Sequence, residues 1–214
     1  MASIVAIIGS SNSGKTTLIE KLIPELKSRG YRVATVKHAH HGVILDEPGK
    51  DSWRHIQAGS EATALISQDR LMLIKPVTPD ITLDEISQLF GEDSDIILAE
   101  GFKLDTAAKI EVHRRESGPP LKDIEKLVAI VTDEPLETEI RQISLEDIRG
   151  LADFIEEGFI RPGEDRLSLY INNKSVSLKD FPVAIFINIL MGMAASLRGV
   201  GKVSNLKLFL RKKD

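Results

Sequence analysis

The chain has 214 residues, of which 42% are hydrophobic and 28% are charged, a size and composition typical of a globular protein with one sizeable core. Its formal net charge at pH 7 is −4, which argues against the basic surface of a nucleic-acid-binding protein, and its lack of cysteine excludes disulfides, thiolate metal sites and cysteine nucleophiles. No apolar run approaches the roughly 20 residues that span a bilayer, and the first predicted strand leaves no room for a signal peptide, so we expect a cytoplasmic protein with no nucleic-acid or membrane partner.

The first predicted strand, residues 4–8, is followed directly by the octapeptide GSSNSGKT at 9–16, and a helical pattern begins after it. The octapeptide matches the phosphate-binding loop pattern G-x-x-x-x-G-K-[ST] at every fixed position, in the strand–loop–helix context that the pattern requires. We expect Lys15 to reach the outer phosphates as a catalytic residue, and the Thr16 hydroxyl to coordinate Mg²⁺. The residues expected to bind the nucleotide in this segment are Gly9, Ser11, Asn12, Ser13, Gly14, Lys15, Thr16 and Thr17.

A helix predicted over 14–28 leads to a second strand at 31–36, and such a strand–helix–strand unit predicts two parallel strands. The second strand ends in KHAHH, which lies at the same carboxyl edge of the sheet as the phosphate loop. Three histidines in four positions are compatible with a metal site. Neighbouring strand residues point to opposite sides, however, so we favour contact of His38 with the nucleotide or with a phosphate-bearing substrate. Both roles stay open for His40 and His41.

Residues 51–59 predict a short helix, in which Asp51 either caps the N-terminus or faces the Mg²⁺ of the nucleotide. Residues 62–67 and 71–74 then predict two strands. The three-residue connection between them permits only an antiparallel pair, so we expect the sheet to be mixed.

A helix predicted over 82–90 precedes a buried apolar strand that ends in the segment AEGFK at 99–103. In phosphate-loop proteins an acidic residue at the end of such a strand holds Mg²⁺ or orients the attacking water. We therefore expect Glu100 to be a metal ligand and a catalytic residue, with an ordinary solvated glutamate as the alternative. Gly101 would let the backbone approach the terminal phosphate closely.

Two more strands are predicted at 109–113 and 127–131, and the second of them ends in the segment TDEP. Asp133 in this segment is placed to accept hydrogen bonds from the ring N–H and exocyclic amine of guanine. A turn or cap role at the same position is an equal alternative. A closing amphipathic helix is predicted over 144–157.

The last quarter of the chain changes in character after a predicted linker. It predicts a hairpin over 167–178, an apolar helix over 181–197 and a third strand over 204–210. We therefore predict two domains, a nucleotide-binding domain over 1–160 and a small ββαβ module over 161–214. The apolar helix is expected to form the core of the module or to bury a dimer interface.

Five segments taken together resemble the MobB family of molybdopterin-guanine dinucleotide biosynthesis proteins. They are GSSNSGKTTL at 9–18, KHAHH at 37–41, GKDSWRHIQAG at 49–59, AEGFK at 99–103 and VTDEP at 131–135. The phosphate loop alone is common to many unrelated proteins, whereas the ordered set is specific. The resemblance covers about residues 3–157 and implies an α/β fold of the three-layer P-loop NTPase type, with a mostly parallel, mixed sheet. The small α+β C-terminal module resembles an extension of some members that the core family lacks.

The resemblance implies a GTP-binding accessory protein with weak GTP hydrolysis, which assists the guanylyltransferase MobA in attaching GMP to molybdopterin. It also implies GTP and Mg²⁺ as cofactors, a homodimer, and molybdopterin as a candidate ligand. The phosphate and Mg²⁺ roles then belong to Gly14, Lys15, Thr16 and Glu100. One alternative is a nickel metallochaperone GTPase, against which the lack of cysteine argues. Another is a small-molecule kinase or ligase similar to dethiobiotin synthetase, for which the sequence shows no acceptor chemistry.

Overall fold

The structure, a computed structural model, describes residues 3–39, 46–90, 93–160, 167, 169–171, 174–176, 178–203, 206–208 and 210. The contacts between Cα atoms divide the chain into two compact units, one of residues 2–160 and one of residues 161–214 together with Met1. All the residues predicted to bind phosphate, metal or base belong to the first unit.

The first unit is organised around a parallel sheet. Its strands, among the residues that the structure describes, are β1 (Ser3–Ile8), β2 (Val33–Lys37), β3 (Thr63–Ile66), β4 (Leu71–Ile74), β5 (Ile96–Glu100), β6 (Ala108–His113), β7 (Leu127–Thr132) and β8 (Arg141–Ser144). Six of them form one sheet in the order β2-β5-β1-β6-β7-β8, and every neighbouring pair is parallel. The predicted α/β class with a mostly parallel sheet is confirmed, and the carboxyl ends of the six strands share one edge.

The main hydrophobic core lies between this sheet and two helices. The helices of the first unit are α1 (Lys15–Ser28), α2 (Asp51–Gln57), α3 (Leu83–Phe90) and α4 (Ile148–Phe159). The helices α1 and α4 contact each other, and both bury apolar residues against the sheet because those residues recur every three or four positions. The core consists of Val5, Ile7, Leu18, Ile19, Leu22, Leu26, Ile96, Leu98, Ile110, Val112, Ala129, Val131, Ile143, Leu145, Leu151, Ala152, Ile155 and Ile160.

The opposite face of the central strands is buried as well. Ala6, Ile8, Ile97 and Ala99 on this face are all at most 1% exposed. Burial on both faces explains why β1 and β5 are continuous apolar runs rather than alternating ones.

The hairpin of β3 and β4 is antiparallel, as predicted, but it forms a two-stranded sheet of its own. The expectation that it makes the main sheet mixed is therefore wrong. Its apolar side chains do not join the main core: Ile66 is 77% exposed and Leu71 is 66% exposed. The backbone groups of the two strands satisfy each other, so a short connection fixes the pairing within the hairpin and not its attachment to a larger sheet.

The sequence also missed the edge strand β8, whose residues precede and overlap the start of the helix predicted over 144–157. The helix α4 begins at Ile148, after Asp147, whose Oδ1 accepts a hydrogen bond from the Gly150 N–H at 2.9 Å. Only Ile143 of β8 is buried. A strand with one buried residue has too little alternation to be recognised from the sequence.

The second unit contains a hairpin of β9 (Leu169–Ile171) and β10 (Lys174–Val176), followed by the helix α5 (Asp180–Ala195). Residues 206–208 and 210 are not in a strand, and the rest of the third strand predicted over 204–210 lies outside the described residues. Several apolar side chains of α5 are exposed, among them Phe181 at 76% and Met193 at 63%. No helix in the described part of the chain is long and apolar enough to span a membrane.

Candidate functional site

The loop between β1 and α1 forms a cradle that only glycine permits. Gly9 has a φ of 152°, and a Cβ at this position would overlap the Val112 carbonyl and lie 2.6 Å from Ser13 Oγ. Gly14, the N-cap of α1, has a φ of 94° in the left-handed region. The loop therefore turns back on itself at both glycines of the motif, as the phosphate-binding conformation requires.

The cradle presents hydrogen-bond donors that suit an anion. The first turn of α1 has no acidic residue of its own, and no side chain among the described residues caps its N–H groups, so these N–H groups are available to an anion. The Ser13 hydroxyl is buried without a hydrogen-bond partner among the described atoms. These features fit the phosphate groups of a nucleotide.

The side chain of Lys15 folds back over the loop and does not extend into solvent. Its Nζ donates hydrogen bonds to the carbonyl oxygens of Ser10 at 2.6 Å and Gly9 at 3.3 Å. Burial lowers the pKa of Lys15 below its ordinary value, and the nearby Glu100 carboxylate opposes this shift. The ammonium groups of Lys103 and Lys37 lower the Lys15 pKa further. The edge of the sheet thus concentrates positive charge beside the phosphate loop.

The structure brings together the two predicted metal ligands. The register places Glu100, the last residue of β5, opposite Ile7 of β1, and the Thr16 Oγ1 lies 3.0 Å from each carboxylate oxygen of Glu100. Two neighbouring ligands of an octahedral Mg²⁺ ion, each about 2.1 Å from the metal, are separated by about 2.9 Å. A hydroxyl and a carboxylate at this separation fit Mg²⁺, the charge partner of nucleotide phosphates.

The backbone after Glu100 closes tightly on the neighbouring strands. The Gly101 N–H donates to the Ile7 carbonyl at 2.9 Å, and Gly101 has a φ of 98°. A Cβ on Gly101 would lie 3.2 Å from the Cβ of His38. Gly101 thus serves the approach of β2 to β5, and the approach to a phosphate that the sequence suggested stays a prediction.

The end of β2 places Lys37 beside the oxygens of Thr16 and Glu100, and His38 beside Phe102. The Lys37 Nζ lies 3.0 Å from Glu100 Oε1 and 3.4 Å from Thr16 Oγ1. The sequence prediction gave Lys37 no role of its own, because its contact with Glu100 depends on the pairing of β2 with β5, which the local sequence does not indicate. The ring of His38 packs against that of Phe102 with 5.1 Å between the centroids.

The predicted histidine cluster is only partly described. His40 and His41 lie outside the described residues. Among the residues that the structure describes, no group of three or more His, Cys, Asp or Glu side chains is arranged to hold a metal ion.

Asp51 is not a helix cap. The N-cap of α2 is Lys50, and Asp51 is the first helical residue, because the chain enters the helix one position earlier than predicted. Its side chain is 90% exposed and lies 3.8 Å from Arg54. No contact in the described part of the chain joins Asp51 to the phosphate loop, so its predicted role near Mg²⁺ stays a prediction.

Asp133 follows β7 at the same edge and has a structural partner. Its Oδ1 accepts a hydrogen bond from the backbone N–H of Arg115 at 3.0 Å. The neighbouring Glu134 forms an ion pair with Arg115, with 3.1 Å between its Oε2 and Arg115 Nε, and contacts His113 Nε2 at 3.0 Å. This long-range contact is neither the turn role nor the base contact predicted for Asp133, so both stay predictions, and its second carboxylate oxygen takes no part in the contact.

Arg114 connects this region to the phosphate loop. Its Nε donates to the Ser13 carbonyl at 3.2 Å, and a Cβ on Gly14 would lie 3.2 Å from the same nitrogen. The ends of β6 and β7 therefore adjoin the loop on the side opposite Lys37 in the strand order. A nucleotide with its phosphates in the loop has this region within reach of its remaining groups.

Comparisons with known proteins agree with this geometry. The family model described as MobB, molybdopterin guanine dinucleotide synthesis protein B, matches residues 4–133. The molybdopterin-guanine dinucleotide biosynthesis adapter protein of Haemophilus influenzae is 42% identical over 155 residues, which are 72% of this chain and 87% of the relative. The protein of the same name from Escherichia coli is 36% identical over 163 residues, which are 73% of this chain and 93% of the relative.

Solved structures show the same fold. A crystal structure of molybdopterin-guanine biosynthesis protein B superposes with a TM-score of 0.58 at 29% identity, over 72% of this chain and 98% of that one. The MobB crystal structure from Bacillus subtilis superposes with a TM-score of 0.57 at 27% identity, over 76% and 99%. The expected fold of the MobB P-loop proteins is confirmed, and about a quarter of this chain has no counterpart in those structures.

Proposed function

This chain belongs to the MobB family, and we propose that it is a GTP-binding accessory protein in the biosynthesis of molybdopterin guanine dinucleotide. Its relatives from Haemophilus influenzae and Escherichia coli are named as adapter proteins of this pathway. In this proposal the chain binds GTP with Mg²⁺, hydrolyses it weakly at most, and assists the guanylyltransferase MobA in the cytoplasm.

The observation that carries the proposal is the pair of Thr16 and Glu100 beside the phosphate loop. Their oxygens lie 3.0 Å apart, which suits two neighbouring Mg²⁺ ligands. Lys15 is tethered to the loop carbonyls, where phosphate oxygens would replace these acceptors. A nucleoside triphosphate with Mg²⁺ is the ligand that uses all three groups at once.

Weak hydrolysis is consistent with the same arrangement. Glu100 is engaged by Thr16 and Lys37, so its carboxylate is a metal ligand in this proposal and not a free base. Rapid phosphoryl transfer needs a residue that orients the attacking water and a further cation for the transition-state charge. A protein that holds a nucleotide for a partner enzyme does not need either group.

For the assembly of the chain, we propose two domains and a homodimer. Residues 1–160 act as the nucleotide-binding domain, and residues 161–214 form an appended module. The exposed apolar side chains of the β3–β4 hairpin, such as Ile66, support a protein–protein contact on the first unit. Molybdopterin is the proposed ligand of the complex with the partner enzyme. We propose no membrane partner, and no helix in the described part of the chain is long and apolar enough to cross a membrane.

The test is a calorimetric titration with GTP and ATP in the presence of Mg²⁺. The wild-type chain should prefer GTP, and Asp133→Asn should lose about tenfold to a hundredfold in GTP affinity, because an amide cannot accept both guanine N–H groups. The amide oxygen of the substituted side chain would keep an acceptor for the Arg115 N–H, so the fold should be unaffected. Lys15→Ala should weaken GTP and ATP alike.

The control for this test is Asp69→Asn, which removes an exposed carboxylate in the connection between β3 and β4. It should bind GTP as the wild type does. Equal binding of GTP and ATP by the wild type would refute the role of Asp133 in base recognition and would favour the kinase-like alternative. Binding of neither nucleotide would refute the proposed function itself.

A further inference from the structure

Two cations can bind the carboxylate of Glu100, namely the ammonium group of Lys37 and, in the proposed function, the Mg²⁺ ion of a bound nucleotide. We propose that Lys37 competes with Mg²⁺ for Glu100 and thereby sets the metal affinity of the nucleotide site. This inference rests on the proposed function, since it requires a nucleotide that binds with a metal ion.

The contact between Lys37 and Glu100 follows from the strand register. The two residues are direct partners in the parallel pair of β2 and β5, and the His38 N–H donates to the Glu100 carbonyl at 3.0 Å. Residues that face each other across a strand pair project to the same side of the sheet. The side chain of Lys37 therefore meets the carboxylate because both residues end their strands at the same level.

Among the residues that the structure describes, Lys37 is the cation that forms an ion pair with Glu100. The Lys37 Nζ is 3.0 Å from Glu100 Oε1 and 3.4 Å from the Thr16 hydroxyl oxygen. Lys15 is directed at the carbonyls of Gly9 and Ser10 instead. The ammonium group thus lies against both of the oxygens that a Mg²⁺ ion would use.

A Mg²⁺ ion and the Lys37 ammonium cannot both bind the Glu100 carboxylate without weakening each other's contact. A Mg²⁺ ion bound to the Thr16 and Glu100 oxygens would lie within about 4 Å of an ammonium that kept its contact, and like charges at this distance repel each other. The Lys37 side chain is 62% exposed, whereas that of Glu100 is 14% exposed. Lys37 is thus the partner that can move into water, where its charge is well solvated.

The consequence is a competition that a single substitution removes. Lys37→Met keeps an unbranched side chain that is one atom shorter and deletes the charge, so the carboxylate should be free for the metal. Because partly exposed ion pairs are weak, we expect the affinity for the metal to rise about twofold to fivefold. Lys103→Met removes another positive charge that acts on Lys15 but is not paired with Glu100, and it should change the metal affinity much less.

The experiment titrates Mn²⁺ into the full chain saturated with GTP and follows free Mn²⁺ by electron paramagnetic resonance. The wild type is compared with Lys37→Met, Lys103→Met, Glu100→Gln and the double variant of Lys37→Met with Glu100→Gln. Glu100→Gln should lower the affinity for Mn²⁺ more than tenfold. In the double variant the gain from Lys37→Met should disappear, because the competition requires the carboxylate.

Other results would overturn the inference. If Lys37→Met leaves the metal affinity unchanged or lowers it, no competition takes place at Glu100. If it lowers the GTP affinity while the metal affinity is constant, Lys37 is a phosphate ligand instead. A wild-type chain that binds no GTP would refute the proposed function and this inference together, whereas normal GTP binding without a gain in Lys37→Met refutes the inference alone.

Discussion

Gly9 is the residue at which the phosphate loop leaves least room for change. Its backbone has a φ of 152°, and an added Cβ would overlap the Val112 carbonyl and lie 2.6 Å from Ser13 Oγ. Gly9→Ala should therefore lower the free energy of unfolding by about 1–3 kcal/mol and distort the loop. We expect its GTP affinity to fall more than tenfold, as measured by calorimetry alongside denaturant unfolding.

A matched control for this variant is Gly158→Ala. Gly158 lies in α4, and an added Cβ there would meet no atom within 4 Å. Alanine at this helical position should raise the free energy of unfolding by about 0.5–1 kcal/mol and leave GTP binding unchanged. An equal loss of GTP affinity in both variants would contradict a specific role for Gly9 in the loop.

The residues of the site differ in how far the sequence predicts them. Lys15 and Thr16 follow from the spacing of a motif whose loop geometry is fixed by short-range contacts. Glu100 follows from its place at the end of a buried strand. The contact of Lys37 with Glu100 depends on the register of two strands separated by about sixty residues, which no local pattern encodes.

At the scale of elements, Arg29 joins the end of α1 to α4. It forms ion pairs with Asp153 at 2.6 Å, Glu156 at 2.8 Å and Glu25 at 2.9 Å. Arg29→Met should leave these three carboxylates without their shared cation. Since the Arg29 side chain is only 20% exposed, water replaces this cation poorly. We expect the free energy of unfolding to fall by about 1–2 kcal/mol at pH 7, a loss that high salt reduces.

The same network should make the stability of the fold depend on pH. Hydrogen bonds from Tyr31 and then from Arg29 lower the pKa of Glu156 below its ordinary value. A carboxylate with a lowered folded-state pKa stabilises the fold above its unfolded pKa, which is about 4.3, and loses this contribution as the pH falls through the folded value. The difference in stability between wild type and Arg29→Met should thus shrink below about pH 4.

The measurement for both statements is urea unfolding at pH 7 and in steps down to pH 3. The control is Lys27→Met, which removes a charge from the same last turn of α1 but on its exposed side. It should cost at most about 0.5 kcal/mol, as is usual for surface substitutions. A pH-independent difference for Arg29→Met would indicate lost packing in place of lost ion pairs.

The elements themselves were predictable where their buried residues form a continuous apolar run or recur at helical spacing. The strands β1, β5 and β7 are apolar runs, and α1 and α4 have apolar residues at helical spacing, so their patterns carry the signal. The edge strand β8 has a single buried residue and gave no pattern. The helix α3 was predicted over 82–90 and lies at Leu83–Phe90, although its buried residues are Leu83 and Ser87 and a serine does not contribute to a hydrophobic pattern.

At the scale of the whole molecule, the order of the strands was the least predictable feature. The sequence indicates parallel strands through the crossover between β1 and β2, but β5 lies between them in the sheet. The order depends on which strands pair with each other, and the apolar run of β5 is compatible with any central position in the sheet. The division near residue 160, in contrast, accompanies a change in composition along the chain.

The first unit should fold and bind its nucleotide without the second. The hydrophobic core around α1 and α4 consists of residues between Val5 and Ile160, and the oxygens of Thr16 and Glu100 belong to the same unit. A chain truncated after Ile160 should therefore fold cooperatively and bind GTP with an affinity within about twofold of the full chain. Circular dichroism on heating and calorimetric titration with GTP and Mg²⁺ would measure both properties.

Truncation after Arg149 provides the contrast, because it removes Leu151, Ala152 and Ile155, which are all fully buried in the core. The loss of these side chains together with Ile160 is comparable with the whole stability of an ordinary domain, so this chain should not fold. If the chain truncated after Ile160 also fails to fold or to bind GTP, residues 161–214 are part of the nucleotide-binding domain. If it folds and binds as expected, the second unit is free to evolve a role of its own, since nucleotide binding places no demand on it.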